Sequence, residues 1–169
     1  QLDMGLVHSV TLPDGLCSQL LMEEPFVACL PQHHPLASAA TLDITQLKNE
    51  RLILFSSEVS PVYHQRIYQM CMAHGFAPEI RHEVRHWLSV LSLVSLNQGA
   101  AIVPSALHRV GMPHLVFIPL TGEQTHSELL ALWRNKPDNP LVHSLLQCLQ
   151  AAVNAISDAG ASPQQPKSR

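Results

Sequence analysis

The chain has 169 residues, of which 46% are hydrophobic and 14% are charged, and its formal net charge is -3 at pH 7. This composition is typical of a globular protein with one or two domains and excludes a disordered chain. The ten Lys and Arg form no basic helix or stripe, and no run of 18 apolar residues occurs, so the sequence favours neither a nucleic-acid-binding surface nor a membrane span.

The N-terminal part of the chain is predicted to be mostly extended. Asp3–Val7 is predicted as a strand, and a turn follows at Pro13-Asp14-Gly15. Leu16–Leu30 is a second extended stretch, which we expect to be broken at Glu23-Glu24-Pro25. Arg51–Phe55 (RLILF) is predicted as a short buried strand.

A helix is predicted to begin at Ser60-Pro61, because Ser is a good N-cap and Pro suits the first helical position. One face of this helix repeats at helical spacing and consists of Tyr63, Ile67, Met70, Cys71 and His74. Gly75 and Pro78 are expected to end the helix.

Strands and helices alternate in the rest of the chain. The predicted elements are the strands Glu79–Val84, Ala100–Val103, Leu115–Leu120 and Leu129–Trp133, and the helices Trp87–Leu96, Pro104–Arg109 and Pro140–Ser157. The alternation between Arg51 and Arg109 is typical of a parallel α/β sheet, which binds ligands at the carboxyl ends of its strands. We therefore expect the helix starts at Pro61 and Pro104 to face one crevice and to bind a carboxylate or another anion.

The stretch His82-Glu83-Val84-Arg85-His86 matches the HExxH pattern of zinc hydrolases. That chemistry needs both His on one helical face, whereas Pro78 and the β-branched Ile80 and Val84 favour a strand. A strand would separate the two His by about 13 Å, too far for one zinc ion. A zinc enzyme is the weaker alternative, and we expect no metal and no other cofactor.

The four cysteines, Cys17, Cys29, Cys71 and Cys148, are widely spaced and form no CxxC motif. Free thiols in a cytoplasmic protein are the simplest interpretation.

No nucleophile elbow, P-loop or dinucleotide fingerprint occurs, so we expect no catalytic residues and no enzyme activity. The chain enters a strand almost directly after Gln1, which indicates that the full protein starts upstream.

Six stretches carry a resemblance to a known family. In chain order they read LDMGLV, LLMEEPFVACLPQHHPLA, RLILFSSEVSPVYHQRI, HGFAPEIRHEV, LVSLNQGAAIVP and LALWRN. Together, over roughly residues 1 to 157, they resemble the effector-binding domain of LysR-type transcriptional regulators.

The resemblance implies an α/β fold of two doubly wound lobes, like a type 2 periplasmic binding protein, with the first lobe incomplete. Residues 1–22 and 129–158 would belong to lobe one, 23–128 would form lobe two, and 159–169 would be a disordered tail. The chain would cross between the lobes near Met22-Glu23 and Glu128-Leu129. The DNA-binding part of the family would lie outside this chain.

The resemblance also implies which residues contact the effector between the lobes. These are Ser57, Pro61 and Tyr63 at the first helix start, Trp87 at the next helix and Leu129 on the returning strand. Val103, Pro104 and Ser105 are added on other grounds, because their strand-to-helix turn places backbone donors at the end of a strand. His8 and Met22 match a second ligand site of some members. Tyr63 and Trp87 could equally be packing residues. Ser57 could serve only to hydrogen-bond the backbone groups of its own loop. Ser60 is expected to be the N-cap residue of the helix.

The function that follows is effector sensing in a LysR-type regulator, with a small carboxylate or aromatic acid as the ligand. The expected partners are that effector, further copies of the chain in a homodimer or homotetramer, and operator DNA and RNA polymerase through the full-length protein. A free-standing solute-binding protein of the same fold is the alternative, disfavoured because no signal peptide is seen.

Overall fold

The computed structural model describes residues 3–8, 12, 14–122, 126–134 and 140–160, with the backbone alone for residues 157–160. This part of the chain contains eight strands, three α-helices and two 3-10 helices. The strands are β1 (Met4–His8), β2 (Leu16–Pro31), β3 (Leu42–Asp43), β4 (Arg51–Phe55), β5 (Glu79–Val84), β6 (Ala101–Pro104), β7 (Leu115–Thr121) and β8 (His126–Arg134). The α-helices are α1 (Pro61–Ala73), α2 (Trp87–Ser95) and α3 (Pro140–Gly160), and the 3-10 helices span Ile44–Leu47 and Ser105–Val110.

The chain divides into two compact units. The first consists of Gln1–Val7, Leu12–Met22 and Glu128–Arg169, and the second of His8–Thr11 and Glu23–Ser127. The division into lobes that the resemblance implies, with its exact bounds, stays a prediction. The predicted tail beyond α3 lies outside the described residues.

The first unit has a small core. Its strands follow the order β1-β8-β2, and its buried side chains come from β2, β8 and α3: Leu21, Ala131, Val142 and Leu146. The apolar face of α3 repeats at helical spacing, because Leu149 and Val153 continue the row begun by the last two of these residues. None of the helices in the described part of the chain is long and apolar enough to cross a membrane.

The second unit has a mixed sheet with a helix on each face. β4 and β5 form a parallel two-stranded pair, which joins the larger sheet through a parallel bridge between Leu52 and Ala100, the residue before β6. β6 and β7 both pair antiparallel with β2. β3 pairs in parallel with β7. The predicted strands over RLILF and Glu79–Val84 are therefore confirmed, and they are parallel to each other as expected.

Side chains of the second unit alternate between two cores, as the two-residue repeat of a strand requires. Ala28 and Leu30 of β2, with Leu52 and Leu54 of β4, pack into one core with the buried face of α1. The intervening residues pack into the other core with α2, namely Val27, Cys29, Ile53, Ala101 and Val103 against Val90, Leu91 and Val94. Helices on both faces make this sheet doubly wound, as predicted.

One boundary prediction was wrong. Glu23-Glu24-Pro25 does not break the second extended stretch, since β2 runs without interruption from Leu16 to Pro31. Glu24 is only 5% exposed, and its Oε2 accepts a hydrogen bond from the backbone N–H of Ala106 at 3.1 Å. This bond satisfies a carboxylate that would otherwise be costly to bury, so the strand continues.

Gly99 allows β6 to approach β4. The N–H of Ala100 donates to the carbonyl oxygen of Arg51 at 2.9 Å, and the N–H of Ile53 donates to the carbonyl oxygen of Ala100 at 2.8 Å. A Cβ on Gly99 would lie 2.4 Å from the carbonyl oxygen of Arg51, and Gly99 has a φ of +153°. Only glycine fits this approach without a backbone shift.

Candidate functional site

Ser57 and Glu83 meet at the carboxyl ends of β4 and β5. The strand register sets Glu83 opposite Leu54, and the N–H of Ser56 donates to the carbonyl oxygen of Val84 at 2.8 Å. The backbone N–H and the hydroxyl of Ser57 then both donate to Oε2 of Glu83, each at 3.3 Å. The loop before α1 therefore already holds a carboxylate.

His64, in the first turn of α1, contacts the other oxygen of the same carboxylate. Its Nε2 lies 3.3 Å from Oε1 of Glu83, and the imidazole is largely buried. The geometry is not that of a hydrogen bond. The contact is an ion pair only when the imidazole carries a proton.

The start of α1 leaves donors available. Ser60 is the N-cap residue, as predicted, but its side chain makes no capping hydrogen bond, and Pro61 is at the first helical position. Pro61 has no N–H, and the N–H of His64 donates to the carbonyl oxygen of Ser60 at 3.1 Å, so the N–H groups of Val62 and Tyr63 are those without a partner within the helix. The positive end of the helix dipole lies beside them. An acceptor group at this point would meet donors from both α1 and Ser57.

Tyr63 and Trp87 belong to an aromatic cluster inside the second unit. Their ring centroids are 5.0 Å apart in an edge-to-face arrangement, and Trp87 also packs on Phe55 at 4.7 Å. Tyr63 is 4% exposed, and its hydroxyl donates to the carbonyl oxygen of Ile102. Burial raises the pKa of this phenol, so the hydroxyl stays protonated and remains a donor. Trp87 is half-buried and therefore keeps part of its ring at the surface.

The turn at Val103-Pro104-Ser105 leads into a short helix, as predicted, which begins one residue later than expected. Pro104 ends β6, and a 3-10 helix spans Ser105–Val110. The N–H of Ala106, in the first turn of that helix, binds the carboxylate of Glu24. The anion position expected here is thus filled by the chain itself. The side chain of Val103 is fully buried in the core against α2.

The remaining predicted residues are divided between the two units. His8 belongs to the second unit, whereas Met22 and Leu129 belong to the first, where Leu129 packs against the core. Nδ1 of His8 lies 3.2 Å from Oγ of the buried Ser127. His8 as a residue is exposed, but burial partly desolvates its ring and lowers its pKa, while the negative charge of Glu24 raises it by a smaller amount.

The HEVRH stretch does not have the geometry of a zinc hydrolase. His82 and Glu83 lie in β5, and His86 is the N-cap residue of α2, so no single helix carries both His. The strand prediction for this stretch is confirmed. Among the described residues, no group of three or more His, Cys, Asp or Glu is placed to hold a metal ion.

Two thiols are buried in the second unit. Cys29 and Cys71 are fully buried, and burial raises the pKa of Cys29 to about 12 and that of Cys71 to about 11. A thiol is nucleophilic only as the thiolate, which such pKa values disfavour at neutral pH. These two cysteines are structural members of the core.

The sequence interpretation missed three residues of the site region. Glu83 was considered only as part of the HEVRH pattern, and neither His64 nor Glu24 was assigned a contact. A usable signal existed for Glu83, because an acidic residue near the end of a strand that is parallel to β4 must lie near the loop that follows β4.

A model of the LysR substrate binding domain matches residues 1–154. The HTH-type transcriptional regulator YnfL of Escherichia coli (strain K12), itself described as uncharacterized, is 29% identical over 132 residues, which are 78% of this chain and 44% of that protein. The HTH-type transcriptional regulator AlsR of Bacillus subtilis (strain 168) is 28% identical over 162 residues, 94% of this chain and 53% of that protein. The chain thus spans about half the length of the curated relatives it matches.

Solved structures share the fold. The BenM effector binding domain, solved with its effector benzoate, superposes with a TM-score of 0.77 at 19% identity and covers 99% of this chain and 76% of that chain. CbnR, a LysR family transcriptional regulator, superposes with a TM-score of 0.76 at 16% identity and covers 90% of this chain and 52% of that chain.

Proposed function

The chain belongs to the LysR substrate binding domain family, and on this premise we propose that it is the effector-sensing part of a DNA-binding transcriptional regulator. Its ligand is a small carboxylate, and an aromatic acid is the favoured kind. The full-length protein binds operator DNA and assembles as a homodimer or homotetramer. The matched relatives YnfL and AlsR are named as transcriptional regulators, which supports this role over a free-standing solute-binding protein.

One observation carries the ligand class. The N–H and hydroxyl of Ser57 converge on a single carboxylate oxygen, at 3.3 Å each, beside the start of α1. Paired donors at a helix start suit a carboxylate better than a neutral group, because hydrogen bonds to a charged acceptor are stronger. The BenM domain, whose effector is benzoate, has the same fold and supports an aromatic acid.

The residues assigned to the ligand have different roles. Ser57 donates to the ligand carboxylate, and the first turn of α1 at Pro61 places further N–H groups beside it. The half-buried ring of Trp87, backed by Tyr63, offers an aromatic edge to the ligand ring. The other residues proposed to contact ligand are Leu129, Val103, Pro104 and Ser105, with His8 and Met22 at a second site.

Replacing Ser57 tests this assignment. Calorimetric titration of the chain with a panel of aromatic and aliphatic carboxylates, benzoate among them, identifies a ligand. Ser57→Ala is then expected to weaken its binding by about 1 kcal/mol, since one hydrogen bond to a charged group is lost. Ser38→Ala, at another exposed serine of the same unit, is the matched control and should leave the affinity unchanged. Equal affinities of all three proteins would rule out Ser57 as a ligand contact.

A further inference from the structure

The carboxylate of Glu83 occupies the donors that the proposed function assigns to the ligand. Its Oε2 accepts both the N–H and the hydroxyl of Ser57. Each of these groups donates one hydrogen, and two carboxylates at hydrogen-bond distance from the same donors repel each other. A ligand carboxylate therefore reaches Ser57 only after Glu83 has moved away.

We propose, building on the function proposed above, that Glu83 is the specificity-determining residue of this site. It competes with an anionic ligand for Ser57 and so sets both the affinity of the site and its preference between charged and neutral ligands. A neutral ligand of the same shape meets no charge repulsion from Glu83. The site thus discriminates against weakly held anions. It binds only a carboxylate whose other contacts offset the free-energy cost of displacing Glu83 from Ser57.

The contacts of Glu83 suit such a displaceable group. The register of β5 against β4 fixes its backbone beside the loop, and His64 lies 3.3 Å from its second oxygen. The side chain is nevertheless 38% exposed, so its carboxylate can return to water at little cost. A carboxylate at the surface that is held by three contacts of 3.3 Å is a competitor that can leave, unlike the buried Glu24.

Glu58 provides a matched control. It lies in the same loop and pairs with Arg85 at 3.3 Å, with 76% of its side chain exposed. Its carboxylate makes no contact with Ser57 among the described hydrogen bonds. Glu58→Ala therefore removes the same charge from the same region and leaves the donors of Ser57 occupied.

The experiment follows the backbone amide of Ser57 by NMR in the whole 169-residue chain. Wild type, Glu83→Ala and Glu58→Ala are each titrated with benzoate and with its neutral isostere benzamide. We expect Glu83→Ala to bind benzoate about fivefold more tightly. Benzamide should gain less, about twofold, because its carbonyl oxygen also needs the Ser57 donors but meets no charge repulsion from Glu83. Glu58→Ala should change neither affinity by more than about twofold. Glu83→Gln keeps the shape of the side chain and should give a smaller rise for benzoate.

Three results would overturn the inference. If the Ser57 amide of the ligand-free protein has the same chemical shift in Glu83→Ala as in wild type, Glu83 does not hold Ser57. If benzoate binds wild type and Glu83→Ala equally, there is no competition, while the proposed function stands. If benzoate does not change the chemical shift of the Ser57 amide in Glu83→Ala, the freed donors do not bind a carboxylate. The proposed function is then tested separately by the calorimetric titrations with the panel of carboxylates.

Discussion

Tyr63 illustrates at the residue scale how one side chain can support both a core and a site. Its ring lies against Trp87 and Phe55, and its hydroxyl bonds the carbonyl oxygen of Ile102 in β6. A buried hydroxyl needs such a partner, because an unpaired one costs free energy. Tyr63 therefore ties the start of α1 to β6 and packs against Trp87.

Removing the hydroxyl of Tyr63 should destabilise the fold. Tyr63→Phe is expected to lower the free energy of unfolding by about 1 to 2 kcal/mol, since the carbonyl oxygen of Ile102 loses this donor. Tyr68, the other tyrosine, is 40% exposed on α1, and Tyr68→Phe should change the value by less than about 0.5 kcal/mol. Urea unfolding of both variants makes the comparison, and equal values would show that the hydrogen bond adds no stability.

The elements that were predicted correctly from the sequence have local signals. RLILF is a short apolar run, and the buried face of α1 follows the helical repeat at Tyr63, Ile67, Met70 and Cys71. The 3-10 helix at Ile44–Leu47 also had a local signal that was missed. Asp43 and Gln46 form a capping box there, a pattern that can be read three residues apart.

The predictions that failed depended on contacts between distant elements. β2 continues through Glu24 because of Ala106, which lies 82 residues away along the chain. The sequence also did not reveal an irregularity of register between Leu52 and Ile53, which sets the residue of β4 that lies opposite Glu83. Without it, counting from the pair Arg51 and Glu79 would set Glu83 opposite Phe55 rather than Leu54. No periodicity in either strand reveals that shift.

The close approach at Gly99 gives a prediction for β6. Gly99→Ala is expected to lower the free energy of unfolding by about 2 kcal/mol or more, because its Cβ would collide with backbone rather than with a side chain that can move. Gly5→Ala is the control, since a Cβ there meets nothing within 4 Å. Thermal or urea unfolding measures both. A change at Gly99 no larger than at Gly5 would mean that β4 and β6 separate without cost.

At the scale of the whole molecule, most of the buried core described belongs to the second unit. Two large clusters surround its sheet, whereas the cluster of the first unit has four buried residues. Burial of apolar area is the main source of stability, so the two units should differ in how often they open.

Amide hydrogen exchange measures that difference. We expect slow exchange in β4 and β6, whose residues are almost all buried, and fast exchange in β1, which is half-exposed. Peptides that cover residues 51–55 and 101–104 serve as the protected reference for residues 4–7. Equal protection in both units would show that the first unit is stabilised by something other than its own core, such as a second chain.

The alternation of side chains between the two cores has a consequence for how the gene can change. Val27 and Cys29 enter one core while Ala28 and Leu30 enter the other, so one inserted codon before Val27 would exchange the two faces of everything beyond it in β2. An inserted pair of codons would restore the facing but move the pairing with β6 and β7. Insertions and deletions are therefore expected to be rare in β2, which packs on both cores, and to occur mainly in the connections between strands, where a change of length leaves the facing and the register of the strands intact.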